Sequence, residues 1–452
     1  MKIFRSLPML LCVACLYAQV AMQSEFDAIR QHEEQRNQEL IRAGFNFGYG
    51  FGFGKIRKEK FNRLTFIIPG EAREQQLHFW VETTAGGVCF RLLDPDGNIV
   101  VNWSGHKGET SVTQRLHSGK HVLEVDTTGA DEGMALFSAK GQIVVAADLD
   151  PKFFQEFPAS PANGYHWPYL LFVPPQIKVP CLLVVPNNTG FPTLDLDLLR
   201  ASASNEIRNE SKLATRLGCA LLVPMFPRPP TRDGNLYLHA LNRDSLMTTV
   251  EEWKRVDLQL LQMIQGAQAH LEGKGFTVDR RVLLSGFSAS GDFVNRFAIL
   301  HPDRVLALAG GGIAWPVAPI AEVGGDSLRF PIGLADVEAF TGEPASLDAL
   351  RLVKWFLYRG SDDHNDPVDY RDCYAEADAE LIRRRFGSTP AVRWPEAERL
   401  YAEAHLPARL VLYPGVGHGP TPAIREDIVQ FFEKCLHDVY GAPISSGNNV
   451  AK

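Results

Sequence analysis

The chain has no surplus of positive charge. It carries 46 Lys and Arg against 53 Asp and Glu over 452 residues, a formal charge of −7. That leaves no basic surface for a phosphate backbone, so nucleic acid is not an expected partner. Beyond the N-terminus no apolar run reaches the roughly 18 residues that a spanning helix needs, so no transmembrane segment is expected. Cysteine is scarce, at seven residues, with neither CxxC spacing nor the regular pattern of a disulfide framework. HExxH and Cys/His clusters are missing too, so neither a metal nor an organic cofactor is expected. A phosphate loop fails at Gly54-Lys55, because Tyr49 stands at the first Gly position and Ile56 at the Ser/Thr position. With 45% hydrophobic and 22% charged residues, the composition is that of a folded chain of two or three domains.

Residues 1–21, MKIFRSLPMLLCVACLYAQVA, read as an export signal. Lys2 and Arg5 form its positive start, Leu7 to Val20 its apolar stretch, and Ala18 and Ala21 the small residues near its end. The expected location is secreted or periplasmic, with lipid attachment at Cys15 as an alternative. The cysteines outside the signal are Cys89, Cys181, Cys219, Cys373 and Cys435. Most of them read as small buried apolar residues, with a Cys373–Cys435 bridge as an option in an oxidising compartment.

Residues 22–60 combine a polar stretch, expected as an exposed helix or arm, with GFNFGYGFGFGK, expected as a flexible or edge-strand linker. From 61 to 148 the hydrophobic period is two: LTFIIP, LHFWVETT, GVCFRLLD, NIVVNW, SVTQRL, KHVLEVD and ALFSAKGQIVV, separated by Gly- and Asp-rich turns. Short strands at this spacing predict a β-sandwich accessory domain of about ninety residues. Residues 149–164 read as a linker. Over 165–440, apolar runs such as CLLVVP, ALLVPMF, RVLLSGF, VLALAGG, VKWFLYRG and RLVLYP alternate with helical patterns. This predicts an α/β fold, a doubly wound and mostly parallel sheet covered on both faces. Residues 441–452 read as a flexible tail.

Three signals in the α/β segment carry chemistry. In RVLLSGFSASGDF an apolar strand runs into Gly286-Phe287-Ser288-Ala289-Ser290-Gly291 and then a helical pattern. A nucleophile on so sharp a strand-to-helix turn needs small residues two before and two after it. The helix start below it offers free N–H groups to an oxyanion. Ser288 meets the size condition, with Ser290 in place of the usual second Gly and itself a rival nucleophile. The strand VKWFLYRG ends in Ser361-Asp362-Asp363-His364-Asn365-Asp366, where Asp363 suits an acid that orients a histidine. Asp362 and Asp366 are alternatives to it, and a calcium loop is excluded by the missing Gly and terminal Glu. Finally RLVLYPG leads to Val416-Gly417-His418-Gly419, an unhindered histidine suited to act as a base.

Ser, Asp and His in that chain order, each after a predicted strand, resemble an α/β-hydrolase over residues 165–440. The texture is closest to secreted serine esterases of the polyester-depolymerase or feruloyl-esterase kind. The resemblance implies Ser288 as nucleophile, His418 as general acid/base and Asp363 as its orienting partner, acting on a small-molecule or polymeric ester. The histidine that such enzymes commonly carry after the third strand is replaced by Asn187-Asn188-Thr189-Gly190. The oxyanion hole is therefore expected from the backbone N–H of Ala289 with that of Asn188 or Thr189. His239, Arg243 and Trp315 are expected to shape the substrate pocket, and the insertion from Gly325 to Leu352 to form a lid or pack as a wall. Two other readings remain open: a serine exopeptidase of related fold, and a non-catalytic polymer-binding protein on a hydrolase scaffold.

Overall fold

The computed structural model describes residues 28–29, 32, 35–36, 39–40, 43, 47–53, 61–68, 72–131, 133–140, 143–146, 149–188, 193–229, 236–369 and 373–441. The expected signal, the Cys15 option, Thr189 and nearly all of the expected tail lie outside them. The chain divides into two compact units, Met1–Asp148 and Leu149–Lys452.

In the first unit nine strands follow one another: β1 (Phe47–Phe53), β2 (Phe61–Ile68), β3 (Arg73–Thr83), β4 (Gly86–Leu93), β5 (Ile99–Gly105), β6 (Lys107–Leu116), β7 (Gly119–Ala130), β8 (Gly133–Lys140) and β9 (Val144–Ala146). They form two antiparallel sheets, ordered β1-β8-β3-β6 and β5-β4-β7-β2-β9. Alternation supplies one buried face per sheet. Phe79, Val81 and Phe137 from one sheet share a single cluster with Phe66, Phe90 and Val125 from the other. The run ALFSAKGQIVV is divided, since β8 joins one sheet and β9 the other. Within the 22–60 stretch, β1 is a paired edge strand, one of the two forms expected for it. The described positions between 28 and 40 are helical. There Ile29 and Leu40 are buried with Trp80 and Leu136, so the polar stretch is not wholly exposed: it uses its thin apolar stripe.

In the second unit the strands are β10 (Phe154–Phe157), β11 (Tyr169–Phe172), β12 (Leu182–Val184), β13 (Ala220–Pro224), β14 (Val282–Phe287), β15 (Val305–Gly311), the hairpin pair β16 (Glu322–Val323) and β17 (Asp326–Ser327), β18 (Lys354–Gly360) and β19 (Ala408–Tyr413). Eight of them make one sheet in the order β10-β11-β13-β12-β14-β15-β18-β19. From β13 to β19 neighbours are parallel; β11 runs antiparallel to both of its neighbours. The stretch 149–164 is therefore not only a linker. It contributes edge strand β10, held where Phe157 stacks on Tyr169 at 4.7 Å.

Successive residues of the inner strands enter opposite cores, which is what a sheet covered on both faces requires. Leu182 and Val184 pack with helices Val256–Gly273 and Ala289–Leu300, while Leu183 and Val185 pack with helices Leu196–Leu217 and Pro422–Tyr440. The insertion 325–352 is anchored as a wall: Leu328, Phe330 and Ile332 are fully buried. All five cysteines outside the expected signal are free, so no Cys373–Cys435 bridge forms; Cys181, Cys219 and Cys435 are buried in one apolar cluster and Cys373 in another, while Cys89 is half-buried. No helix among the described residues is long and apolar enough to cross a membrane.

Candidate active site

The ends of β12, β14, β18 and β19 lie along one edge of the parallel sheet, and the candidate residues sit just past them. After β14 the backbone turns at Ser288 with φ 60 and ψ −126, a left-handed conformation that a non-glycine residue adopts only under constraint. The constraint is local. Ser288 N–H donates to the Gly311 carbonyl at 2.8 Å, and the helix Ala289–Leu300 starts at once. At Gly286 a Cβ would lie 2.2 Å from the Ser290 carbonyl oxygen, so only glycine fits two before the nucleophile. At Gly291 a Cβ would meet the Gly311 oxygen at 2.3 Å. The displaced glycine of the motif thus lets the helix pass close against β15. Ser290, the rival nucleophile, is 3% exposed, and its hydroxyl binds the Phe287 N–H and carbonyl at 2.9 Å each.

The acid and the histidine come from loops that are stitched together. A Cβ on Gly360 would fall 1.9 Å from the Val416 oxygen, so this glycine lets the two loops cross. Asp362 N–H donates to the Val416 carbonyl and Gly415 N–H to the Ser361 hydroxyl. The result brings three side chains into line. His418 Nε2 is 3.0 Å from Ser288 Oγ, and His418 Nδ1 is 2.9 Å from Asp363 Oδ2. The Asp363 side chain is 1% exposed and the His418 side chain 33%, so the relay runs from the interior to the solvent. The Phe287 ring backs the imidazole, with centroids 4.8 Å apart.

Asp363 is held as an anion. Burial acts to raise its pKa, but the hydrogen bond from His418, the Arg359 charge and the Asn365 N–H outweigh it and keep it below the usual carboxylate range. Arg359 Nη2 lies 3.1 Å from Asp363 Oδ1 and also donates to the carbonyls of Asp363 and Asn365. Asp366, the alternative acid, instead forms an ion pair with buried Arg393 and accepts the Val368 N–H. Asp362 is exposed and bonded to Ser361. Among the three, the geometry joins only Asp363 to His418.

Ala289, at the first position of the helix, is 5% exposed. Asn188 lies beside the turn, its side-chain amide donating to the Phe287 carbonyl at 2.9 Å. Neighbouring Asn187 is buried and exchanges two hydrogen bonds with the Phe226 backbone. Each residue expected to shape the substrate pocket has a polar group bonded within the protein: His239 Nε2, the Arg243 guanidinium and Trp315 Nε1. His239 is 2% exposed; its Nε2 sits 2.9 Å from the Phe226 carbonyl and 3.0 Å from the Asn187 amide. Burial pushes its pKa down to about 4, so it is a neutral brace for the Asn187 loop. Arg243 pairs with Asp336 and the Phe330 carbonyl. Trp315 is 1% exposed, donates to the Ile332 carbonyl and stacks on Phe386. Arg359 and Asn365 were not singled out from the sequence. An arginine inside the apolar strand VKWFLYRG was the available signal, since a buried cation requires an acid nearby. Among the described residues no cluster of three or more His, Cys, Asp or Glu could hold a metal ion.

No family model matches the sequence, and no curated protein does. Among solved structures the chain is similar to poly(aspartic acid) hydrolase-1 from Sphingomonas sp. KT-1, at 16% identity over 62% of this chain and 98% of that one, TM-score 0.43. It is also similar to a thermostable esterase (16% identity, 82% and 95% covered, TM-score 0.39). A third is Est1E from Butyrivibrio proteoclasticus (14%, 63% and 99%, TM-score 0.33). At these values the fold is read from the chain's own sheet. That sheet, with its serine on a strained strand-to-helix turn, defines an α/β-hydrolase-like fold.

Proposed function

We propose that the chain is a secreted serine hydrolase that cleaves carboxylic esters through an acyl-enzyme. One observation carries this reading: the hydroxyl–imidazole–carboxylate line of 3.0 and 2.9 Å, with its hydroxyl on a backbone at φ 60. His418 accepts the Ser288 proton as the oxygen attacks the ester carbonyl, and Asp363 stabilises the imidazolium. The tetrahedral oxyanion is held by the Ala289 N–H and one from Asn188 or Thr189. The proton on Nε2 passes to the departing alcohol oxygen, leaving Ser288 acylated. Water then enters, loses its proton to the same base and releases the acid. Export rests on residues 1–21 alone, and residues 61–148 are read as a β-sandwich accessory domain, a reading supported by the apolar cluster shared by their two sheets.

The test is an alkyl-fluorophosphonate probe on the purified protein. Labelling that vanishes in Ser288→Ala is the expected result; an unlabelled wild type, or equal labelling of the variant, overturns the assignment. Parallel assays with p-nitrophenyl esters and aminoacyl anilides separate an esterase from the exopeptidase reading.

A further inference from the structure

Asn365 touches both ends of the relay. Its backbone N–H donates to Asp363 Oδ1 at 3.0 Å, and its carbonyl accepts from Arg359 Nη2 at 2.5 Å. Its side-chain nitrogen lies 3.2 Å from His418 Nε2, the same atom that faces Ser288 Oγ. Because Nδ1 gives its hydrogen to Asp363, Nε2 carries a bare lone pair and the Asn365 amide must present N–H there. One lone pair therefore has two donors, and only one of them is the nucleophile.

Once Nε2 has taken the serine proton, it can no longer accept from the amide. The atom that next needs Nε2 is the ester's leaving oxygen, and after it the attacking water. Either must sit within hydrogen-bond reach of Nε2 on its solvent side. Asn365 is half-buried, with its side-chain nitrogen beside Nε2, and it is anchored at its backbone by a buried ion pair in which the Arg359 side chain is 0% and that of Asp363 1% exposed. We infer that Asn365 is a further catalytic residue, whose amide N–H donates to the oxygen exchanging a proton with His418 Nε2: the leaving alcohol during acylation, water during deacylation. The amide only donates a hydrogen bond. The proton itself moves from Nε2 to the alkoxide as the acyl C–O bond breaks, and from water to Nε2 as the new C–O bond forms.

This inference rests on the triad reading above, and its experiment keeps the two apart. Asn365→Leu removes the donor at nearly constant shape, Asn365→Asp replaces it with an acceptor, and Asn365→Ala guards against a packing effect. All three keep the backbone bonds to Asp363 and Arg359. The readouts are kcat/KM for an alkyl ester and for a p-nitrophenyl ester of the same acid, and the rate at which the acyl-enzyme left by the aryl ester is hydrolysed. A poor leaving group needs the donor and p-nitrophenolate does not. The expected loss is about 10- to 100-fold for the alkyl ester and under about threefold for the aryl ester, with acyl-enzyme hydrolysis slowed. Equal losses on both esters with unchanged acyl-enzyme hydrolysis would reduce Asn365 to a structural clamp and overturn the inference. A wild type that the fluorophosphonate probe does not label, and that turns over neither ester, overturns the triad reading with it.

Discussion

The α/β unit contains the same trio of residue types twice. Asp363 binds His418 at 2.9 Å and Arg359 at 3.1 Å; Asp257 binds His301 at 2.8 Å and Arg255 at 2.7 Å. A phenylalanine ring lies against each imidazole, Phe287 at 4.8 Å and Phe297 at 4.9 Å. What differs is the nitrogen that meets the acid. His418 uses Nδ1, which leaves Nε2 at the outer end of the ring for Ser288. His301 uses Nε2, so its far end points inward, and its side chain is 11% exposed against 33% for His418. An acid–imidazole pair is thus a structural ion pair by default. It becomes a relay only when bonded through Nδ1, with the opposite nitrogen open to a hydroxyl and to solvent.

The largest expected effect separates the two trios by activity. Asp363→Asn keeps the shape but removes the charge and disturbs the tautomer, and should lower kcat by about 10³- to 10⁴-fold. Asp257→Asn should leave kcat of the folded protein within about threefold. It should instead reduce unfolding free energy by about 2–3 kcal/mol, since Arg255 and His301 lose their anion but keep some access to water. Ester turnover and urea unfolding measured on both variants check this together. If Asp257→Asn proves as inactive as Asp363→Asn while folded, the distinction between the trios fails.

The second effect lies in acid. Burial acts to raise the Asp257 carboxyl, but hydrogen bonds from His301 and Arg255, and their charges, bring it down to about 2. A depressed carboxyl contributes stability that is complete above its unfolded value near 4 and lost as pH falls towards 2, here about 2 kcal/mol. Urea midpoints at pH 4, 3 and 2 should fall more steeply for the wild type than for Asp257→Asn. Parallel curves for the two proteins would count against the ion pair as the cause.

Why one trio was visible in the sequence and the other was not follows from what each signal encodes. The strand-to-helix turn leaves small residues at fixed short spacing, so Gly286, Ser288 and Ser290 stand out locally, and strand periodicity separates the all-β stretch from the α/β stretch. Edge strands escape this reading. β1 is built from Gly and aromatics, and β10 is a four-residue segment between Pro-rich turns, so neither has the period of its neighbours. Partner choice over long range escapes it as well. Asp363 and Asp366 are equivalent in sequence until Arg359, four residues earlier on β18, and Arg393, on the helix Pro390–Glu403, divide them. The partners of the expected pocket residues escape it for a related reason. His239 and Trp315 are residue types common to sites and cores, and their partners Phe226 and Ile332 are fixed only by the fold.

The smallest effect concerns a third acid, one with no cation hydrogen-bonded to it among the described residues, which sharpens what the paired ones show. Glu206, on the helix Leu196–Leu217, lines a cavity of about 350 Å³ with Glu210, Leu213, Tyr358 and Arg425. Arg425 reaches Glu210 at 3.5 Å. Burial, and then the Glu210 charge, push the Glu206 carboxyl up to about 7 despite Arg425. The sign is opposite to that of Asp257. A raised carboxyl favours the folded state while it keeps its proton, and that contribution is lost as pH rises from about 4.5 through 7. Glu206→Gln, which mimics the protonated form, should be near neutral at pH 5 and stabilising by about 1–2 kcal/mol at pH 8, after allowance for its partial exposure. Thermal melts of the two proteins at both pH values decide it. An equal gain at pH 5 and pH 8 would mean that packing, not the unpaired charge, sets the stability at this cavity.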